Sequence, residues 1–130
     1  MKKIIFLLVI SNFLINPLYS KNLTNKDCNE LASEINSSMG GMQIDQSTIL
    51  QSVLCPSDAN LLYSYKITLD ISSEVFKEVI PELKTNNINA WCSDPDLNEL
   101  LNVLDSVGFR YANNINMYVG EYTLDKSYCN

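Results

Sequence analysis

Four widely spaced cysteines, Cys28, Cys55, Cys92 and Cys129, limit the folds open to this chain more than any other feature. The count is even, and no two cysteines stand in a Cys-x-x-Cys pair, so neither a thioredoxin-like redox motif nor a zinc-ribbon spacing is present. In an oxidising compartment such a set reads as two disulfides. If neighbours in sequence pair, each bridge closes a loop of about 30 to 40 residues and contributes roughly 3–4 kcal/mol in the chain-entropy account.

The N-terminus supplies the compartment. Met1-Lys2-Lys3 is a positive start, and an apolar run follows from Ile4, broken by Ser11, Asn12 and Asn16 and stopped by Pro17. The run is too short and too interrupted to span a bilayer, which takes about 20 apolar residues. Residues 1–20 therefore read as a secretory signal with cleavage near Ser20, leaving residues 21–130 as a single disulfide-bonded domain. The first cysteine, Cys28, lies too far downstream for a lipoprotein anchor. The expected location is periplasmic or secreted.

Charge and residue types exclude several activities. The chain carries 9 basic and 15 acidic residues. Losing Lys2 and Lys3 with the signal leaves seven against fifteen, net −8. That balance opposes nucleic acid and anionic membranes and favours a basic partner. There is no histidine, which removes Ser-His-Asp and Cys-His catalysis and imidazole metal sites. Oxidised cysteines offer no thiolate. Asp94, Asp96 and Glu99 form the densest carboxylate group, but they lack the EF-hand spacing and are explained by a helix start. No cofactor is expected.

Periodicity gives the elements. Residues 27–38 read as a helix capped by Asp27 or Asn25, with Leu31 and Ile35 on one side and Gly40-Gly41 at its end. Residues 48–55 read as a strand with Ile49, Val53 and Cys55 on one face and Leu50 and Leu54 on the other. Residues 61–70 alternate strictly, Leu61, Tyr63, Tyr65, Ile67 and Leu69 against polar neighbours, so they form a half-buried strand and a hairpin with the first. A helix starting at Ser72-Ser73-Glu74 has Phe76, Val79, Ile80 and Leu83 in its stripe, with Pro81 kinking or splitting it and Asn86-Asn87 as a loop. Asp94-Pro95-Asp96 opens another, with Leu97, Leu100, Leu101, Leu104 and Val107 inward and Gly108 at its end. Phe109 and Tyr111 alternate on a strand, Asn113 to Asn116 turn, and residues 117–124 return.

The expected fold is α+β: a four-stranded antiparallel sheet of two hairpins with helices on one face. The pairs Tyr63-x-Tyr65 and Phe109-x-Tyr111 suggest an α-β-β duplication. Alternating aromatics belong to a sheet core. Tyr118 and Tyr122 are the exception, a candidate partner surface with room left by Gly120. Asn22-Leu23-Thr24 and Asn36-Ser37-Ser38 match glycosylation acceptors and read as chance.

Several of these motifs fall in one order: Asp45-x-x-Thr48, Tyr63-x-Tyr65, Cys92-Ser93-Asp94-Pro95-x-Leu97-x-x-Leu100-Leu101, Gly108-x-x-Tyr111 and a cysteine at the C-terminus. Across residues 35–130 that order resembles a group of small exported bacterial proteins of unassigned function. In that group a basic residue often follows the first leucine of the helix, where this chain has Asn98. The group's pattern carries only the later cysteine pair, so the resemblance implies Cys92–Cys129, with Cys28–Cys55 as an addition. The residues alone leave open Cys28–Cys129 with Cys55–Cys92.

These readings favour a non-catalytic binding protein of the bacterial envelope, an inhibitor or immunity-type protein for a basic envelope or secreted partner. A structural or assembly factor of an envelope complex is the alternative, and a hydrolase using carboxylates alone is a third reading.

Overall fold

The computed structural model describes residues 23–129, so the expected signal segment lies outside the described residues. The chain runs α1 (Asn25–Met39), β1 (Gln43–Asp45), β2 (Thr48–Ser57), β3 (Asn60–Ile67), α2 (Ser73–Ser93), α3 (Pro95–Val103), β4 (Ser106–Ala112), β5 (Tyr118–Leu124) and a 3-10 turn over Lys126–Cys129. The α+β class stands. The sheet has five strands in the order β1-β2-β3-β4-β5, rather than four.

The all-antiparallel expectation is corrected at the centre. β3 and β4 pair in parallel, Tyr63 opposite Phe109 and Tyr65 opposite Tyr111, while the other neighbours are antiparallel. A parallel pair needs a crossover of a dozen or more residues. Residues 68–105, containing α2 and α3, provide it. Local alternation reports that a segment is a strand but not which strand lies beside it. The aromatic-x-aromatic pairs are therefore lateral partners across one seam. A rotation that carried β2–β3 onto β4–β5 would reverse strand direction and turn the helices to the opposite face. For the suggested duplication, the unit α1-β2-β3 would have to map onto α3-β4-β5, and the parallel β3–β4 pair reverses the strand directions between the two.

The helices begin where capping chemistry allows. Thr24, not Asp27 or Asn25, caps α1, its hydroxyl accepting from the Asp27 N–H at 3.2 Å. Cys28, Leu31, Ala32 and Ile35 are its buried stripe. α2 runs unbroken from its Ser72 cap to Ser93. Pro81 and Asn86-Asn87 all lie inside it, so neither the split nor the loop occurs. Pro81 sits on the exposed side of the helix. Asp94 ends α2 and caps α3, its Oδ1 accepting from the N–H groups of Asp96 at 3.0 Å and Leu97 at 3.3 Å, with Pro95 at the first turn. α3 stops at Val103, and Val107 and Gly108 already belong to β4.

A β-bulge corrects the phase of β2. The ladder slips between Leu50 and Ser52, so Gln51 is extra and Leu50 joins Val53 and Cys55 on the buried face. The strict alternation expected for 48–55 missed this one-residue insertion.

β1 covers only the start of the β2 edge. Farther along, α1 does the work of a strand. The Asn36 amide accepts from the Val53 N–H at 2.6 Å and donates to the Val53 C=O at 2.7 Å. The Asn36-Ser37-Ser38 acceptor triplet thus has its amide nitrogen engaged in the fold. Cys28–Cys55 ties the same helix to the same strand, with Cα atoms 5.9 Å apart. Cys92–Cys129, at 5.1 Å, returns the C-terminal turn to the end of α2. These are the pairings that the resemblance implied. At the position where the resemblance carries a basic residue, Asn98 donates to the Cys92 carbonyl at 3.0 Å and accepts from the Lys126 ammonium, closing the same corner.

Asn36→Ala removes both bonds and leaves a half-buried peptide group facing apolar surface. The expected loss is about 1–3 kcal/mol in urea unfolding of the oxidised protein. An unchanged midpoint would show that water replaces the amide without cost.

Candidate functional site

The helical face of the sheet has an aromatic floor. Tyr63 and Phe109 stack with centroids 5.6 Å apart, Tyr65 and Tyr111 at 5.1 Å, and Tyr122 of β5 joins Phe109 at 5.1 Å. Trp91 of α2 stands edge-on to Tyr63 and to Phe109. Gly120 lets α2 close on this floor. A Cβ there would lie 2.9 Å from Ile80 Cδ1 and 3.0 Å from Phe76 Cδ2. The room that the glycine offers is filled from within the chain.

The helices cover only part of the floor. Between α2 and the β1 edge a cleft of about 390 Å³ remains open. Tyr65, Ile67 and Tyr111 line its base. Phe76, Val79 and Leu83 form the α2 wall, with Asn86 and Asn87 beyond them. Ile44, Asp45 and Thr48 form the other wall, and Leu69 and Ile71 close one end. The alternation in 61–70 and the stripe of α2 build this lining, yet the sequence did not mark it as a site, because the gap depends on where the crossover sets α2.

The polar groups at the base are tied to one another. The Tyr111 and Tyr122 hydroxyls are 3.3 Å apart, and the Asn87 amide donates to Tyr122. Burial raises the pKa of both Tyr65 and Tyr111, with Tyr122 adding to each effect. The Tyr63 hydroxyl is buried deeper and has no hydrogen-bond partner among the described residues. Its pKa is raised, first by desolvation and then by Tyr65.

The two tyrosines expected on a partner surface separate. Tyr122 is 6 % exposed and belongs to the aromatic core, a correction to its expected place. Tyr118 is 57 % exposed and lies on the opposite, helix-free face, next to the exposed Met117 and Ile115. The phase of β5 turns at Val119, where the ladder slips between Tyr111 and Ala112, so the four-residue spacing did not keep both tyrosines together. The Asp94 carboxylate is committed to capping α3. Among the described residues no group of three or more possible ligands gathers as a metal site, and no helix is long and apolar enough to cross a membrane.

Tyr63→Phe deletes a buried hydroxyl that gains nothing in return. Thermal unfolding is expected to be unchanged or shifted upward; a loss above about 1 kcal/mol would reveal a hidden partner. The tyrosine cluster also sets the alkaline limit. Its native pKa values stand above the ordinary value of about 10. Its contribution is full below that pH and is lost as pH rises further, because the unfolded chain releases protons that the native chain retains. Tyrosinate absorbance from the cluster should therefore rise together with loss of the circular dichroism signal. Ionisation of the cluster in a folded protein would contradict the burial.

No protein-family profile matches the chain, and no curated protein does. Three solved structures share its fold. A Pseudomonas aeruginosa protein thought to be secreted superposes with a TM-score of 0.64 at 11 % identity, over 82 % of this chain and 96 % of that one. The pilotin EpsS of the Vibrio vulnificus type 2 secretion system gives 0.60 at 12 % identity, over 82 % and 94 %. The type II secretion system pilotin AspS of Vibrio cholerae gives 0.59 at 11 % identity, over 81 % and 91 %.

Proposed function

We propose that this chain is a non-enzymatic assembly factor of a bacterial envelope complex, and that it holds an apolar segment of a partner in the cleft between α2 and β1. The open cleft carries the reading. Its rim carries exposed apolar side chains, Leu69 at 55 % and Val79 at 37 %, above a base of buried Ile67 and Tyr111. A site with this composition binds by burying surface and needs few polar contacts to orient what enters.

Other observations support it. The fold is shared, nearly end to end, with two secretion-system pilotins. Two disulfides suit a protein that works outside the cytoplasm, in the periplasm or beyond. The cleft lining includes no histidine and no thiol, and burial raises the pKa of its tyrosines. The likeness favours assembly over the inhibitor or immunity role that the acidic composition first suggested. That composition keeps a secondary part: a basic flank on the partner would speed the encounter and make it salt-sensitive.

The test is photo-crosslinking in intact cells from position 79, on the cleft wall, with position 123 on the opposite face as control. The expected adduct from 79 contains a component of one envelope complex, which fails to assemble in cells lacking this protein. Val79→Lys should abolish both adduct and complementation while the protein stays folded, because Val79 is 37 % exposed. Normal assembly in the null strain, or full complementation by Val79→Lys, would defeat the proposal.

A further inference from the structure

The helix-free face of the sheet carries a second concavity. Gln51 of β2, Ser64 of β3, Arg110 and Ala112 of β4, and Asn116 and Tyr118 line a basin of about 230 Å³, with Tyr65 and Tyr111, which also line the cleft, contributing to its floor. Three backbone irregularities meet there. Gln51 is the bulged residue of β2, the β4–β5 ladder slips next to Ala112, and Asn116 holds a φ of 63°. Bulges re-aim side chains and are frequent beside binding sites.

The charge in the basin is unlike that of the rest of the chain. Arg110 is the single arginine of the sequence, in a protein of net charge −6. Register sets Ser64 opposite Arg110 and Lys66 opposite Ala112, so Lys66 shares this face with it. The Arg110 Nε donates to Glu121 Oε1 at 3.3 Å, a pair with 49 % and 38 % exposed side chains. An exposed pair of that kind is weak and screened. It orients the guanidinium while its two Nη groups bond to none of the described residues. Glu121 also interacts with the Tyr118 hydroxyl, so this carboxylate borders the basin, and counting Lys66 the three charged groups sum to one positive charge.

The chemistry of the lining converges on one class of ligand. An exposed tyrosine ring offers a flat apolar face to the C–H side of a sugar. Gln51, Ser64 and Asn116 offer donors and acceptors for hydroxyls. A guanidinium fork pairs with a carboxylate through two parallel hydrogen bonds. The volume falls below the roughly 300–1,000 Å³ of sites for larger ligands, which fits one ring rather than a chain. We propose that this basin binds an acidic sugar, a pyranose ring bearing a carboxylate: the ring lies against Tyr118, the carboxylate on Arg110 with Lys66 near, and the hydroxyls on Gln51, Ser64 and Asn116. Such sugars occur in envelope polysaccharides, so the site would hold the protein at the envelope while the cleft, on the other face, engages its partner.

The test is a titration of the oxidised protein followed by amide NMR shifts, using D-glucuronate, D-galacturonate and N-acetylmuramate in turn, with D-glucose and acetate as controls. A solvent-open site of this size should give a Kd of about 1–10 mM for at least one acidic sugar. Saturable shifts are expected at residues 51, 64, 110, 116 and 118, with glucose and acetate at least about tenfold weaker. Arg110→Gln and Tyr118→Ala should each weaken binding about tenfold with the remaining spectrum intact, and Val79→Lys should leave it unchanged. No saturation by any of the three acidic sugars would overturn the proposal. So would acetate reproducing the shifts, or full affinity in both basin variants. Because Val79→Lys reports on the cleft alone, failure of one site does not read as failure of the other.

Discussion

The parallel seam between β3 and β4 is the contact on which the other elements depend. It brings two aromatic pairs from distant parts of the chain into lateral register, Tyr63 with Phe109 and Tyr65 with Tyr111. Stacked pairs of this kind add about 0.5–1.5 kcal/mol each beyond the area they bury. The seam also dictates the crossover. Because β4 must enter in the same direction as β3, residues 68–105 have to travel back along the sheet, and two helices are what that journey becomes. Trp91 and Phe76 then dock α2 on the same rings. The cleft is the part of this aromatic floor that the returning helix does not reach.

The β1–β2 edge and the C-terminal corner are each secured by a different device. β1 is only three residues long, and the rest of the β2 edge is occupied by the Asn36 amide. An open strand edge is a template for association, and one side chain that pairs both groups of Val53 removes it at that point. Cys28–Cys55 fixes the helix that carries Asn36. At the opposite corner Cys92–Cys129, Asn98 and Lys126 hold the C-terminal turn against α2 and α3. A small domain with a modest core gains from such ties.

Much of this was legible in local chemistry, and what was not depends on distance. The alternation from Leu61 to Asp70 named β3, although the strand ends at Ile67 and Leu69 is exposed, and Asp94-Pro95 named the start of α3, because capping and pleating are decided within a few residues. The cysteine pairs came from resemblance rather than from any rule of spacing. The parallel seam was hidden because a strand's own pattern is the same whichever neighbour it takes. Pro81 misled because proline inside a helix costs a hydrogen bond, but on an exposed face water can supply it. Gln51 misled because a single inserted residue exchanges the faces of a strand without altering its composition. For the site, Tyr118 and Tyr122 were equally plausible on the surface. The slip beside Ala112 sends one into the core and leaves the other in solvent. The cleft lining was readable residue by residue as core, but its opening belongs to the placement of α2.

The distribution of polar side chains bears on what kind of function such a fold supports. The buried polar residues are Asp94 and Asn113. Asp94 caps α3. The Asn113 carboxamide accepts from the N–H groups of Ile115 and Met117 and donates to the Ile71 carbonyl, tying the β4–β5 turn to the loop that closes the cleft. Asn36, half-buried, serves Val53. Each of these groups satisfies backbone that would otherwise be stranded, at a cost of about 1–3 kcal/mol if it were withdrawn. The walls of the cleft and the exposed lining of the opposite basin are open to a second molecule. Both offer surface on which a second molecule can be held by burial and by a few oriented polar contacts.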